Sequence, residues 1–271
     1  MRVLSLYCGA GGIDEGLKQA GIKTTLAIDV DRDCCQTMKL NHDCEILNGE
    51  VADYEKSLDD FDIVVGGPPC QDFSPANPKR TFDLTEVYRF WNIILKLKPK
   101  YYLMENVPLL ATKFKPIKTI RINCADYGTP QKRIRNFWTN IPKPNKQKWK
   151  GVNEFLNIDG HISPTGFKNC NQYIISTPVN EPCKTILVAN KYVLTDNEVY
   201  SKKYAYLKDI STVIREITNE ELAIIQGFPK SYKFFGSKSS VKRQIGNALP
   251  PQPIKVFFEQ ILLTIKAKGM V

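Results

Sequence analysis

The sequence predicts a doubly wound parallel α/β sheet joined to a second, smaller domain of strand and loop. Three observations predict it. Over residues 1–106, short apolar runs alternate with segments of helical period, the order that builds a parallel sheet with helices on its faces. The runs end in turns rich in Gly, Asp, Glu and Cys, and such sheets gather their binding groups at strand carboxyl ends. After Trp138 the alternation gives way to short apolar runs among Lys, Asn, Pro and Gly.

Val3-Leu4-Ser5-Leu6-Tyr7 reads as a short buried strand and Gly9-Ala10-Gly11-Gly12 as the turn after it. Ile13, Leu17 and Ala20 then recur at helical spacing up to a Gly21 stop. Thr24 to Ile28 forms a second strand ending in Asp29, and Phe61 to Val65 a further one running into Gly66-Gly67-Pro68-Pro69-Cys70. Asp83-x-x-Glu86 matches a capping box, opening a helix with Leu84, Tyr88, Trp91 and Leu95 on one face until Pro99. Tyr101 to Met104 is another strand, ending at Glu105-Asn106. Weak β alternation follows in Gln172 to Ile175 and Thr185 to Val188. Thr218-Asn219-Glu220-Glu221 opens a short helix ending near Gly227, and a last helix from about Pro253 carries Ile254, Phe257, Ile261 and Ile265 on one face.

The 271 residues are 42% apolar and 24% charged, an ordinary globular composition that excludes disordered and fibrous classes. Only His42 and His161 exist, neither beside a nucleophile motif, which argues against a Ser-His-Asp centre. Eight Cys show no C-x-x-C pair, so neither a metal site nor a disulfide framework is expected. Reduced thiols and a cytoplasmic location are the expectation. The few residues before Cys8-Gly9 are too short for a signal peptide or a membrane span, and no membrane partner is expected.

The net charge of +10 is unevenly spread. Residues 1–62 hold 6 basic and 13 acidic side chains, residues 63–150 hold 17 and 5, and residues 151–271 hold 15 and 10. A polyanion is drawn to the latter two thirds and repelled by the first part.

Four motifs carry chemistry. Glycines after the first strand let a backbone approach a ligand closely, and Asp29, about 20 residues on, stands where a carboxylate accepts ribose hydroxyls. Cys70, held by two prolines and flanked by glycines, suits a thiol nucleophile presented in a cleft. Glu105, one strand further on, can exchange a proton with a ring nitrogen in the same cleft. In Gln131-Lys132-Arg133-Ile134-Arg135, period-2 alternation puts Gln131, Arg133 and Arg135 on one side, where two guanidiniums can orient a carbonyl and a phosphate.

Together these residues resemble the cytosine-C5 DNA methyltransferases of restriction-modification type. The order of motifs carries the resemblance: Gly9 to Gly12, Pro69-Cys70, Glu105-Asn106-Val107, Gln131-x-Arg133-x-Arg135, Arg215-x-x-Thr218-x-x-Glu221, Gln226-Gly227-Phe228-Pro229 and Gln244 to Pro250. The resemblance implies a Rossmann-like methyltransferase sheet in residues 1–140 and 238–271, with a small, mostly β and loop target-recognition domain in 141–237. It implies S-adenosyl-L-methionine as methyl donor and S-adenosyl-L-homocysteine as product. Tyr7, Gly9, Gly11 and Gly12 would line the methionine end, Asp29 the ribose, and Val30 and Glu50 the adenine, with Pro69, Asn247 and Ala248 completing the pocket. Many relatives carry an aromatic residue where Val30 aligns.

By the same resemblance Cys70, Glu105, Arg133 and Arg135 are the catalytic set. Gln71, Ser74, Gln131, Thr185 and Ile186 would meet double-stranded DNA, whose target base must be flipped out to reach the thiol. A monomer is expected, with a cognate restriction endonuclease acting separately. Two departures stand out: only 17 residues separate Val107 from Ala125, where relatives have a helix and a strand, and Thr85 stands where an Arg is usual. The rival readings are an RNA cytosine-C5 methyltransferase, whose Cys-Phe-Thr run is not seen in the small domain, and a catalytically silent DNA-binding relative.

Overall fold

The computed structural model describes residues 1–69, 82–165, 174–188, 191–196, 200–201 and 213–267. Cys70, Gln71 and Ser74 lie outside the described residues. The first part runs β1 (Val3–Leu6), α1 (Gly12–Gln19), β2 (Leu26–Asp29), α2 (Arg32–Asn41), β3 (Glu45–Asn48), α3 (Val51–Tyr54), β4 (Ile63–Gly66), α4 (Thr85–Leu97) and β5 (Tyr101–Asn106). α5 (Leu110–Lys113), β6 (Ile120–Asn123), β7 (Gln131–Lys132) and β8 (Ile134–Thr139) follow. One sheet has the order β3-β2-β1-β4-β5-β8-β6.

β1 to β5 are parallel, as expected, but β8 enters antiparallel to both β5 and β6. The sheet is therefore mixed rather than parallel throughout. The stretch between Val107 and Ala125 still forms a helix and a strand, each cut to four residues.

Alternate residues of the buried strands feed two cores. Val3, Ile63, Val65, Leu103 and Phe137 pack on Ile13 and Leu17 of α1 and on Ile254, Phe257 and Ile261 of the last helix, α8 (Pro251–Ala267). Leu4, Leu6, Val64 and Met104 face Val87, Phe90, Ile93 and Ile94 of α4. α4 thus turns a different face inward from the one expected: Tyr88 and Leu95 are 51% and 57% exposed. The expected capping box is also absent. Asp83 accepts the N–H and hydroxyl of Thr85, while Glu86 reaches across to Tyr7 and Arg89. A strand core on the apolar side selects the β-branched and aromatic row over the more amphipathic one.

The second part contains β9 (His161–Thr165), β10 (Ile174–Ile175), β11 (Thr177–Pro178), β12 (Cys183–Lys184), β13 (Lys191–Thr195), β14 (Tyr200–Ser201) and β15 (Val213–Glu216). β11-β9-β13-β15 form an antiparallel sheet, β10 pairs with β14, and β12 pairs in parallel with β7 of the first part. Thr185 to Val188, expected as a strand, follows β12 without joining a sheet, because its polar backbone is taken up by side chains described below. α6 (Asn219–Gln226) has the expected capping box at Thr218 and Glu221 and ends on Gly227 at φ +101°. α7 (Lys238–Asn247) contributes to a third core, that of the second part: Ile245 and Ala248 pack with Val152, Leu194, Ile225 and Phe228. That core therefore straddles the boundary expected at residue 237.

Candidate active site

At the end of β1, Gly11 caps α1 in the left-handed region at φ +79°, and Gly9 is left-handed too, at +54°. A Cβ on Gly12 would lie 2.1 Å from Leu249 O, so only glycine lets the segment after α7 close against the turn. That contact, between positions 237 residues apart in sequence, brings Asn247 and Ala248 to the glycine turn. A Cβ on Gly9 would meet nothing within 4 Å: the turn opens onto space. Tyr7, just before it, holds φ +53°, an uncommon conformation for a bulky residue. Its hydroxyl donates to Glu86 Oε2 at 2.7 Å, and burial together with that carboxylate pushes the phenol's pKa up.

Asp29 ends β2 beside this turn. One carboxylate oxygen accepts Gly9 N–H at 2.7 Å and the other Asp31 N–H at 2.8 Å. Burial raises its pKa, with the two N–H donors pulling the other way. Val30 is 60% exposed, Glu50 is exposed at the head of α3 without capping it, and Pro69 and Asn247 are exposed as well. Open space over left-handed glycines, a strand-end carboxylate and an exposed apolar side chain suit a nucleoside-bearing cofactor such as S-adenosylmethionine.

On the neighbouring strands, Glu105 of β5 and Arg135 of β8 form an ion pair, Oε1 to Nε 2.7 Å, with side chains only 14% and 13% exposed. A Cβ on Gly67 would lie 3.0 Å from Glu105 Oε2, which puts this carboxylate against the Gly67-Pro68-Pro69 strap leading to Cys70. Asn106, buried, fixes the same strap by donating from Nδ2 to Pro68 O at 3.0 Å. The motif Glu105-Asn106 thus divides its work: Glu105 pairs with Arg135 against Gly67, and Asn106 holds the strap.

Arg133 does not stand in an open cleft beside Arg135. The strand breaks between β7 and β8, and Arg133 is buried, donating to Ile186 O at 3.2 Å and Gly246 O at 2.8 Å. Gln131 and Ile186, expected to meet DNA, are buried too. Gln131 Nε2 donates to Gln226 Oε1 at 2.7 Å, and its Oε1 accepts Ile186 N–H at 3.2 Å. Thr185 Oγ1 donates to Lys132 O at 2.8 Å. These side chains take up the backbone of 185–186 and so replace the strand pairing expected there.

Two contributors were given no role from sequence, although Gln226 stands in one of the motifs. Gln226 also donates to Ala248 O, and Tyr232 donates from its hydroxyl to Ala10 O at 2.6 Å, with His42 Nε2 3.2 Å away. Burial lowers the His42 pKa, so it is neutral at pH 7. Arg215 and Glu221, given by the sequence only as members of one motif, form an ion pair through bonds of 2.7 and 2.8 Å. The six described cysteines are free, and burial pushes their pKa values up, Cys35 to about 11 and Cys44, Cys124 and Cys183 to about 12. They are inert thiols at neutral pH. Among the described residues no acidic or thiol cluster could hold a metal ion, and no helix is long and apolar enough to cross a membrane.

A mostly parallel sheet with a glycine turn and strand-end carboxylate at one edge of its carboxyl ends, and a buried Glu–Arg pair at the next, defines a Rossmann-like methyltransferase. The model of the C-5 cytosine-specific DNA methylases matches residues 1–206 and 189–263, and the chain belongs to that family. It is accordingly a DNA cytosine-C5 methyltransferase. Among curated relatives it is similar to the Type II methyltransferases M.NgoMIV and M.NgoFVII of Neisseria gonorrhoeae. The first is 28% identical over 98% of both chains; the second is 29% identical over 96% of this chain and 86% of its own. Two solved structures share the fold. One, from E. coli, is described as a DNA modification methyltransferase encoded within a prophage (TM-score 0.70, 18% identity, 98% and 99% of the two chains). The other is S. pombe Dnmt2 (TM-score 0.65, 16% identity, 99% of each).

Proposed function

We propose that the chain methylates cytosine in a specific duplex sequence through a covalent adduct between Cys70 and C6 of a flipped-out base. The observation that carries this reading is the Glu105–Arg135 pair lying against the Gly67-Pro68-Pro69 strap, one residue before the thiol.

Cytosine C5 is a poor nucleophile within an aromatic ring. Attack of the Cys70 thiolate on C6 makes C5 enamine-like, while Glu105 hydrogen-bonds or protonates N3 as charge builds there. Arg135 orients Glu105 and offers its remaining N–H groups to the base. When bound, S-adenosylmethionine supplies the electrophilic methyl group, which C5 takes up. Loss of the C5 proton then expels the Cys70 thiolate and restores the ring. Asp29 would hold the ribose hydroxyls, Val30 and Glu50 the adenine, and Tyr7, Gly9, Gly11, Gly12, Pro69, Asn247 and Ala248 the remainder. Arg133 serves here as a positioning residue, joining the 185–186 segment to the end of α7. Gln71, Ser74 and Thr185 stay assigned to DNA.

The relatives' description as Type II methyltransferases supports a place in restriction-modification; that the enzyme acts as a monomer, with a separate cognate endonuclease, is part of the same proposal. Purified protein with a tritiated methyl donor should label duplex DNA, and Cys70→Ala should abolish labelling. Full activity in that variant would remove the thiol from the mechanism. A duplex containing 5-fluorocytosine should give a denaturation-resistant adduct, since fluorine cannot leave as the proton does; an adduct with RNA alone would favour the RNA reading. Bisulfite sequencing of the product would give the target sequence.

A further inference from the structure

Residues 107–150 carry eleven Lys and Arg against one acid, Asp126, and the fold lays most of them along one margin. β6 is the last strand of the seven-stranded sheet, and the exposed residues Lys113, Lys115, Lys118 and Arg121 lie on it or just before it. Lys143 Nζ donates to Arg121 O at 3.2 Å, which brings segment 142–150 to that strand. Asp126 then holds the segment in place. Its carbonyl accepts Gln147 N–H at 2.7 Å, and its carboxylate accepts Trp149 Nε1–H at 2.8 Å and pairs with Lys146 at 2.9 Å. At the far end Lys132 Nζ sits 5.2 Å above the Trp149 ring, which is 46% exposed.

The one acid of the stretch is thus occupied as a fastener. Among the described residues Lys115, Lys118, Arg121 and Lys148 form no ion pair with a carboxylate, and Lys143 only adds to the positive field at Asp126, which Lys146 already pairs. Both ends of the strip flank the Gln131–Arg135 motif: Trp149 lies under Lys132, and Arg121 and Ile122 are in register with Asn136 and Arg135. Strands stand about 4.8 Å apart, so Arg121's strand is roughly 10 Å from the one bearing Glu105. That is less than the roughly 12 Å width of a major groove.

We propose that this margin binds the phosphate backbone of the duplex flanking the target base, an inference that rests on the DNA-methylation reading above. Lysines on an open sheet edge also deter edge-to-edge pairing. That need covers the β6 residues but not residues 143–150, which three bonds to Asp126 fasten to the same margin.

The test compares the full chain with Lys118→Gln/Arg121→Gln/Lys143→Gln/Lys148→Gln, and with the charge-preserving Lys143→Arg/Lys148→Arg. Binding is read by fluorescence anisotropy on duplexes of about one and about three helical turns, the target central, over a salt series. Each lost phosphate contact lowers the slope of log K against log salt by about 0.9, so the Gln variant should lose roughly 2–4 from the slope on the long duplex. Its affinity for that duplex should fall at least tenfold, with methylation of the short duplex unchanged and the Arg variant at wild type. A wild-type slope on long DNA overturns the proposal, whether or not the Gln variant aggregates, and so does a loss confined to duplex RNA. Failure of the wild type to label any DNA would instead overturn the underlying reading.

Discussion

Glu105 and Arg135, thirty residues apart, meet across the antiparallel pair β5–β8 with 2.7 Å between Oε1 and Nε. The register sets Glu105 opposite Phe137, two residues on from Arg135, so both side chains emerge on one face at the carboxyl end of β5. The reversed strand β8 is what makes this possible. A parallel neighbour would have left the β8 arginine at the wrong end of the sheet.

Under the proposed mechanism Arg135→Gln should cost activity twice over, by loosening Glu105 and by removing the donors proposed to meet the base. Losing one preorganised donor typically lowers kcat by about 10²–10³. Breaking a buried pair costs about 3–5 kcal/mol, and this pair, slightly exposed, somewhat less. Single-turnover methyl transfer and thermal unfolding measure the two losses. Arg135→Lys should recover part of the stability and little of the rate, because an ammonium lacks the planar fork. Wild-type turnover in Arg135→Gln would show that Glu105 works without its partner.

Asp29 predicts a pH dependence of cofactor binding. Burial raises its pKa, so the carboxylate that accepts Gly9 N–H and would accept ribose hydroxyls becomes protonated at a higher pH than an ordinary Asp. Affinity for S-adenosylmethionine, read by calorimetry, should weaken as pH falls, beginning above the usual value of about 3.9. Stability should move the other way. Ionising a group whose folded pKa is raised costs folding free energy, a cost absent below the unfolded pKa and complete above the folded one. Asp29→Asn should thus bind the cofactor about tenfold or more weakly and lose the acid-side pH dependence; its single carbonyl oxygen replaces only one of the two acceptors that Gly9 N–H and Asp31 N–H use, so it should also melt lower than wild type at pH 7. Unaltered affinity in that variant would take Asp29 out of the pocket.

The glycine turn separates packing from binding. Gly12→Ala drives a methyl into Leu249 O and should destabilise by about 1–3 kcal/mol, the usual cost of overpacking, lowering Tm by several degrees. Gly9→Ala meets open space and strains only φ, at about 1–2 kcal/mol. Its methyl enters the cofactor's side, so its larger effect should be on cofactor affinity. Equal Tm losses, with affinity unchanged in both, would contradict this division.

Much of this was legible in the sequence, and what was not has physical reasons. Strand-end groups such as Asp29 and Glu105 were readable because a buried parallel strand announces itself as an apolar run and the next polar residue must face the crevice. The Thr218–Glu221 capping box was readable because capping chemistry is local. The face of α4 was misread because a helix offers two apolar rows, and only the strands it covers select between them. Arg133 is not in the open cleft that period-2 alternation put it in, because that reasoning assumes an unbroken strand, and the break at Arg133 turns its guanidinium toward carbonyls more than 50 residues away. Those two partners are backbone atoms, which carry no signature in the sequence.

Gln226 gives the last prediction. Its amide links Gln131 on β7 to Ala248 O behind the cofactor turn, while Gln131 holds Ile186 N–H. One buried chain of hydrogen bonds therefore joins the strand of the catalytic motif, the segment after β12 and the end of α7. Replacing Gln226 with Leu keeps the bulk but strands the Gln131 Nε2 donor and the Ala248 carbonyl, each at about 1–3 kcal/mol. Gln226→Glu keeps an acceptor for Gln131 but loses the donor to Ala248. If the chain positions Asn247 and Ala248, Gln226→Glu should raise KM for S-adenosylmethionine several-fold more than it lowers kcat, and Gln226→Leu should also lower Tm. A Tm loss with KM and kcat unchanged in both variants would leave Gln226 a purely structural residue.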